Sequence, residues 1–150
     1  MQIHGSKKIE LFFRAAARLD IDQSDLKRFN QVINEKLYDL VLIGQATAKA
    51  NHRDIIEPWD LPITIGLQEG INEYEKLKNE GIAMDPIFEQ ITGFPSADLG
   101  YSQETEKRLP LIVGGLSVTL AHLFKVLDPK NKNPGEELWQ QAQSIFNLLL

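Results

Sequence analysis

Residues 51–63, NHRDIIEPWDLPI, carry two incompatible readings. His52-Arg53-Asp54 spells a catalytic tripeptide of phosphoryl transfer, in which the Asp accepts a hydroxyl proton and an Asn five residues on holds a metal ion. Arg53 and Asp60, seven residues apart across a Pro-containing turn, instead make a structural ion pair. The catalytic reading fails on three counts. The position five residues after Asp54 is Trp59, no Gly-rich phosphate loop precedes the tripeptide, and 150 residues are too few for such an enzyme.

Upstream of this stretch, Asp25 to about Ala50 is expected to be a long helix, capped by Ser24. Its apolar line of Leu26, Phe29, Ile33, Leu37, Leu40 and Gly44 advances in steps of 3, 4, 4, 3 and 4. A short helix over Ile9–Leu19 precedes it, separated by the polar turn DIDQSD. Downstream, Pro58 suits the first residue of another helix with Asp60 in its first turn, although Pro62 removes a donor from the second turn. Residues 66–83, GLQEGINEYEKLKNEGIA, read as a polar helical connector with glycines at both ends. No segment alternates apolar and polar residues long enough to make a sheet, so the fold class is all-α.

The order of elements then repeats. Met84–Phe94 reads as a second short helix, and Ser102 caps a second long one to about Leu127. Its apolar line of Leu109, Ile112, Leu116, Leu120, Leu123 and Leu127 repeats the same steps. The turn DPKNKNPGEEL echoes IIEPWDL, and a last helix to Leu150 is apolar at Leu138, Trp139, Ala142, Ile145, Phe146 and Leu149. The caps Ser24 and Ser102 lie 78 positions apart, and Pro58 and Pro134 lie 76 apart. The repeat is one of element order and length rather than of letters. Pro110 predicts a kink or a helix start near Leu109, and Gly114-Gly115, each costing about 1 kcal/mol against Ala in mid-helix, predict that another helix crosses closely there.

Short helix, long helix and short helix with loops between resembles the histone fold, and Arg53 and Asp60 match the Arg and Asp that histones place seven residues apart. From about Ser6 to Leu150 the chain resembles the bacterial histone-like family of uncharacterised function with two histone folds in tandem. The resemblance implies one compact unit over 1–150: a first repeat over 6–70, a connector over 71–83 and a second repeat over 84–150, joined as an intramolecular handshake pseudodimer. It implies a monomer, since the two copies cover each other. The second half departs from the pattern, because of its two acidic candidates, Glu136 and Glu137, only Glu137 has a basic residue seven positions earlier, Lys130.

In such a handshake the first loop of one fold lies beside the second loop of the other, and each end meets DNA phosphates. By that resemblance one end joins Lys27 and Arg28 to Lys130 and Lys132, and the other joins Lys107 and Arg108 to Lys49 and Arg53. These eight are half of the sixteen basic residues, yet Asp20, Asp22, Asp25, Asp54, Glu104, Glu106, Asp128 and Glu136 share the same loops. The local balance is near neutral, surface pairing competes with phosphate contact, and Arg53 is expected to be structural. The net charge of −5 excludes strong binding by bulk electrostatics.

Other chemistry is thin. There are no cysteines, which excludes disulfides and thiolate sites and favours the cytoplasm. The histidines His4, His52 and His122 show no metal-ligand spacing, and Ser117 and Thr119 lack a nucleophile's exposed turn. Glu73 with Lys76 and Glu75 with Lys78 are neighbours on a solvated helix. No run of about 18 apolar residues and no signal core is present, so no membrane is expected. The expectation is a non-enzymatic protein without cofactor or metal, binding double-stranded DNA weakly and without sequence preference in a chromosome-associated role, and then nucleoid-associated. The alternative is an acidic module that binds protein partners and no DNA.

Overall fold

The computed structural model describes residues 2–82, 84, 95 and 97–150, with side chains from Lys7 onward. The protein is mostly helical, and five helices and one two-stranded parallel bridge are described. Helix α1 runs Gln2–Ala17, beginning earlier than its apolar spacing implies. It stops before Leu19 because Arg18 adopts φ 53°, a left-handed position that lets the Arg18 and Leu19 amides reach back to Arg14 and Phe13 carbonyls.

Helix α2 spans Gln23–Ala50, and its cap is Asp22 rather than Ser24. The Asp22 carboxylate accepts from the Asp25 amide at 3.0 Å, and the Asp25 carboxylate accepts from the Asp22 amide at 2.9 Å. This reciprocal box satisfies two helix-start donors and places negative charge at the positive helix end, which a Ser24 hydroxyl could not do. Ser24 donates to Asp22 instead. The helix ends at Asn51, with His52 at φ 59° turning the chain toward Arg53.

The helix expected to begin at Pro58 is a single 3-10 turn, Pro58–Asp60. Leu61 is extended and Pro62 supplies no amide, so helix restarts only at α3, Ile65–Asn79, where Thr64 accepts from the Leu67 amide at 3.1 Å. The expected boundary between residues 70 and 71 therefore falls inside one continuous helix. Nor is α3 a solvated connector. Leu67, Gly70, Ile71, Tyr74 and Leu77 form a buried stripe, while Glu69, Glu73 and Glu75 face water.

The short helix expected over Met84–Phe94 lies outside the described residues apart from Met84, whose amide donates to the Tyr74 hydroxyl at 3.0 Å. Two short strands, β1 (Ile55–Ile56) and β2 (Gly100–Tyr101), pair in parallel. Two-residue strands are too short for alternation to reveal. Helix α4 spans Gln103–Leu127 from its Ser102 cap and passes through Pro110 instead of starting near Leu109. By length and composition α4 could cross a membrane, but 67% of that window is buried within the fold, as in a core helix. Helix α5, Glu136–Leu149, buries Leu138, Trp139, Ala142 and Phe146 and leaves Leu149 exposed, against expectation.

The core forms where α3 and α1 lie on α4. Phe12 meets Phe13 and Tyr74 edge-on, Phe13 meets Phe29, and Phe124 meets Trp139 at 4.7 Å between centroids. The close approach that Gly114-Gly115 predict is made by α3. The Tyr74 ring occupies the space of a Gly114 side chain, and a Cβ on Gly115 would stand 2.9 Å from the Ile71 backbone nitrogen.

Candidate nucleic-acid interface

The chain order brings loops together at two places. At the first, the α1–α2 loop touches the α4–α5 loop, where the Asp20 amide donates to the Lys132 carbonyl at 2.6 Å. A second tie lies beneath: the Trp139 indole donates to the Asp25 carboxylate at 2.8 Å. Burial pushes the Asp25 carboxyl above its ordinary value, against the lowering effect of the Asp22 amide and the indole. Asp22 shifts the other way, held down mainly by the Asp25 amide it caps.

Lys27, Arg28, Lys130 and Lys132 all lie at this first junction, but not in one state. Arg28 is engaged by Glu136, and Arg14 is held by Asp20 at 3.0 Å. Lys27, Lys130 and Lys132 are exposed and have no ion-pair partner among the described residues. The same holds for Arg18, which sequence reading did not select. Its candidacy comes from the left-handed turn that ends α1, which no periodicity announces. Glu136 takes Arg28, and no Lys130–Glu137 pair forms among the described residues.

At the second junction β1 lies beside β2, and the Ile56 carbonyl accepts from the Ser102 amide at 3.2 Å and from the Thr105 hydroxyl at 2.7 Å. These bonds hold the start of α4 against the stretch NHRDIIEPWDLPI. Arg53 donates two parallel bonds to Asp60, at 2.6 and 2.7 Å, and Asp60 also accepts from the Glu57 amide at 2.8 Å. The Asp60 side chain is 0% exposed. Its carboxyl is held below the ordinary range first by the Arg53 bonds, which outweigh burial, and Arg53 is correspondingly raised. Arg53 is thus a clamp on the 3-10 turn. Lys49 pairs with Asp98 at 3.5 Å, so of the four cations here only Lys107 and Arg108 lack an ion-pair partner among the described residues.

Among the described residues no three His, Asp or Glu side chains are grouped to hold a metal ion. The His122 ring nitrogen lies 3.2 Å from the Ala16 carbonyl and 3.7 Å from a Glu73 carboxylate oxygen, and His52 is exposed. Away from both junctions an open apolar groove of about 440 Å³ runs between α4 and α5, lined by Leu123, Val126, Ile145, Phe146 and Leu149 among others. Exposed Ile65 and Leu148 add to the apolar character of the surface.

Loop-to-loop junctions, one partly cationic and one clamped by a buried ion pair, tie together a mostly helical protein. The chain belongs to the family described as a domain of unknown function, DUF1931, whose model matches residues 9–147. It is similar to a protein of Thermus thermophilus known from a crystal structure, with 38% identity, 97% of each chain covered and a TM-score of 0.84. A 1.9 Å crystal structure of protein AQ328 from Aquifex aeolicus has the same TM-score, 0.84, at 22% identity, covering 97% of this chain and 95% of that one; this likeness is one of fold. An uncharacterized protein of Aquifex aeolicus (strain VF5) is 23% identical over 141 residues, 94% of this chain and 82% of its own length.

Proposed function

We propose that the chain is a histone-fold pseudodimer that touches double-stranded DNA weakly, without catalysis and without sequence preference. Three features support the fold reading. Two long helices of 28 and 25 residues are each followed by a turn and a further helix. The loop before each long helix meets the loop after the other, through the Asp20–Lys132 bond and the β1–β2 bridge. The Arg53–Asp60 clamp sits where a histone carries one.

The observation that carries the DNA reading is the gathering of Arg18, Lys27, Lys130 and Lys132, exposed and without acidic partners among the described residues, at the first junction. Cations already paired gain little from a phosphate, because the existing pair must first be broken; unpaired ones release counterions at no such cost. This narrows the eight-residue expectation. Arg28, Lys49 and Arg53 are engaged elsewhere, and Lys107 and Arg108 are secondary. Such a protein would be cytoplasmic and nucleoid-associated.

Fluorescence anisotropy with a labelled duplex at two salt concentrations tests this. Affinity should fall with salt, and Lys27→Ala with Lys130→Ala and Lys132→Ala should weaken it equally for unrelated sequences. Absence of binding even at low salt would falsify the DNA reading. In that event the apolar groove favours the other reading, a module that binds protein partners.

A further inference from the structure

We infer that Trp59, with Ile55 four residues earlier in the same stretch, is the anchor of a docking surface for a cationic protein segment. Trp59 is 69% exposed and Ile55 44%, whereas Ile56 in the same stretch is fully buried and Leu61 nearly so. The turn cannot fold Trp59 inward without giving up these contacts. Asp60, the next residue, is locked by three N–H donors from Arg53 and Glu57, and Leu61 packs so tightly on α2 that a Cβ on Gly44 would come within 2.8 Å of it. The indole is thus presented on a rigid support. A rigid aromatic with few rotatable bonds loses little entropy on binding, which is why Trp dominates interface energetics.

Charge selects the partner. Asp54 and Glu57 flank Ile55 and Trp59 in the chain, and Glu104 and Glu106 flank Thr105, whose hydroxyl bonds the Ile56 carbonyl. None of these four carboxylates forms a salt bridge among the described residues, though Glu57 also acts electrostatically on Arg53, whereas Lys49 and Arg53 are held by Asp98 and Asp60. Lys107 and Arg108 offset only part of the surplus. A Lys or Arg side chain from a partner would gain both from the carboxylates and from lying over the indole face, while an adjacent apolar residue would cover Ile55. A phosphate backbone would face the same carboxylates with the wrong sign. The inference rests on the residues of this end alone and stands apart from the DNA reading, which rests on the junction that carries Lys27, Lys130 and Lys132.

The test uses the full chain with three labelled probes: a peptide of alternating Lys and Leu, its Glu and Leu counterpart, and a DNA duplex. The two tryptophans give an internal contrast, because Trp139 is buried and iodide quenches only the exposed Trp59. The Lys-Leu peptide should bind and protect Trp59 from iodide. Trp59→Ala should weaken that binding about tenfold, and Glu57→Gln with Glu104→Gln should weaken it as well. Glu75→Gln with Glu80→Gln, on and just past α3, should leave it unchanged. Equal affinity of wild type and Trp59→Ala, stronger binding of the Glu-Leu peptide, loss of affinity in the α3 pair matching that in the turn pair, or protection of Trp59 by DNA instead would each overturn the proposal. Iodide protection is read on the wild type, so the outcome does not depend on how well a variant folds.

Discussion

Arg53 and Asp60 were legible from spacing alone, but their energetic meaning comes from burial. The carboxylate is out of water and accepts three N–H bonds, so removing Arg53 leaves a buried charge short of donors. In a double-mutant cycle Arg53→Ala and Asp60→Ala should be strongly non-additive in urea denaturation; additive losses would remove the clamp. The pH response follows from the shifts. Asp60 has its folded value depressed, so its stabilisation is complete above its ordinary 3.8 and is lost as pH falls through the folded value. Asp25 has its folded value raised above 3.8, so its contribution is present below that and is lost as pH rises through the raised value. Thermal melts on the acid side should therefore decline less steeply in Asp60→Asn than in the wild type. Trp139→Phe tests the neighbouring tie: it keeps the ring contact with Phe124 but strips a donor from Asp25, and should cost about 1–3 kcal/mol in denaturation.

Helices α2, α4 and α5 could be read from period and caps, because an apolar stripe at helical spacing is a local property. The cap of α2 was misplaced by two residues, since Ser24 looks like a cap and only the Asp22–Asp25 reciprocity shows otherwise. Helix α3 was the larger loss. Its charged face dominates the letters, and two of its buried positions, Gly70 and Tyr74, do not look like a core stripe. Their role appears only opposite α4, where glycines let two backbones approach. Gly70→Ala would gain about 1 kcal/mol of helix propensity, yet its Cβ would stand 2.6 Å from the Gly115 carbonyl oxygen, which cannot move without the helix. We expect a net loss of about 1–3 kcal/mol from overpacking, with Gly114→Ala behaving alike against Tyr74. A gain in denaturation midpoint for either would contradict the crossing.

At the scale of the whole molecule the distribution of charge matters more than its sum of −5. One junction leaves Arg18, Lys27, Lys130 and Lys132 without ion-pair partners among the described residues, alongside the equally unpaired Asp22, Asp128 and Glu137, and the other leaves Asp54, Glu57, Glu104 and Glu106 so, alongside Lys107 and Arg108. If the four cations are the DNA contacts, the slope of log affinity against log salt should be about −4 and should shallow by about one for each replaced by Ala. Arg28→Ala should change it little, since Arg28 is paired with Glu136. A slope lost with Lys107 and Arg108 instead would move the contact to the other end. The exposed Val126, Leu148 and Leu149 make a separate prediction: in light scattering across a concentration series, any self-association through this face should disappear in Val126→Glu with Leu149→Glu.

By itself the sequence determined the mostly helical class, three of the five described helices nearly to their ends, and the partnership of Arg53 with Asp60. Each of these depends on residues within a few turns of one another, so spacing records it. Only the tertiary structure decided that α3 rather than a second long helix lies against Gly114-Gly115, that Arg28 is neutralised by Glu136 while Arg18 has no acidic partner among the described residues, and that Trp59 faces water. Those outcomes turn on distances between residues as far apart in the chain as Arg28 and Glu136. No local period carries them, because desolvation and ion pairing are set by whichever distant group the fold brings alongside.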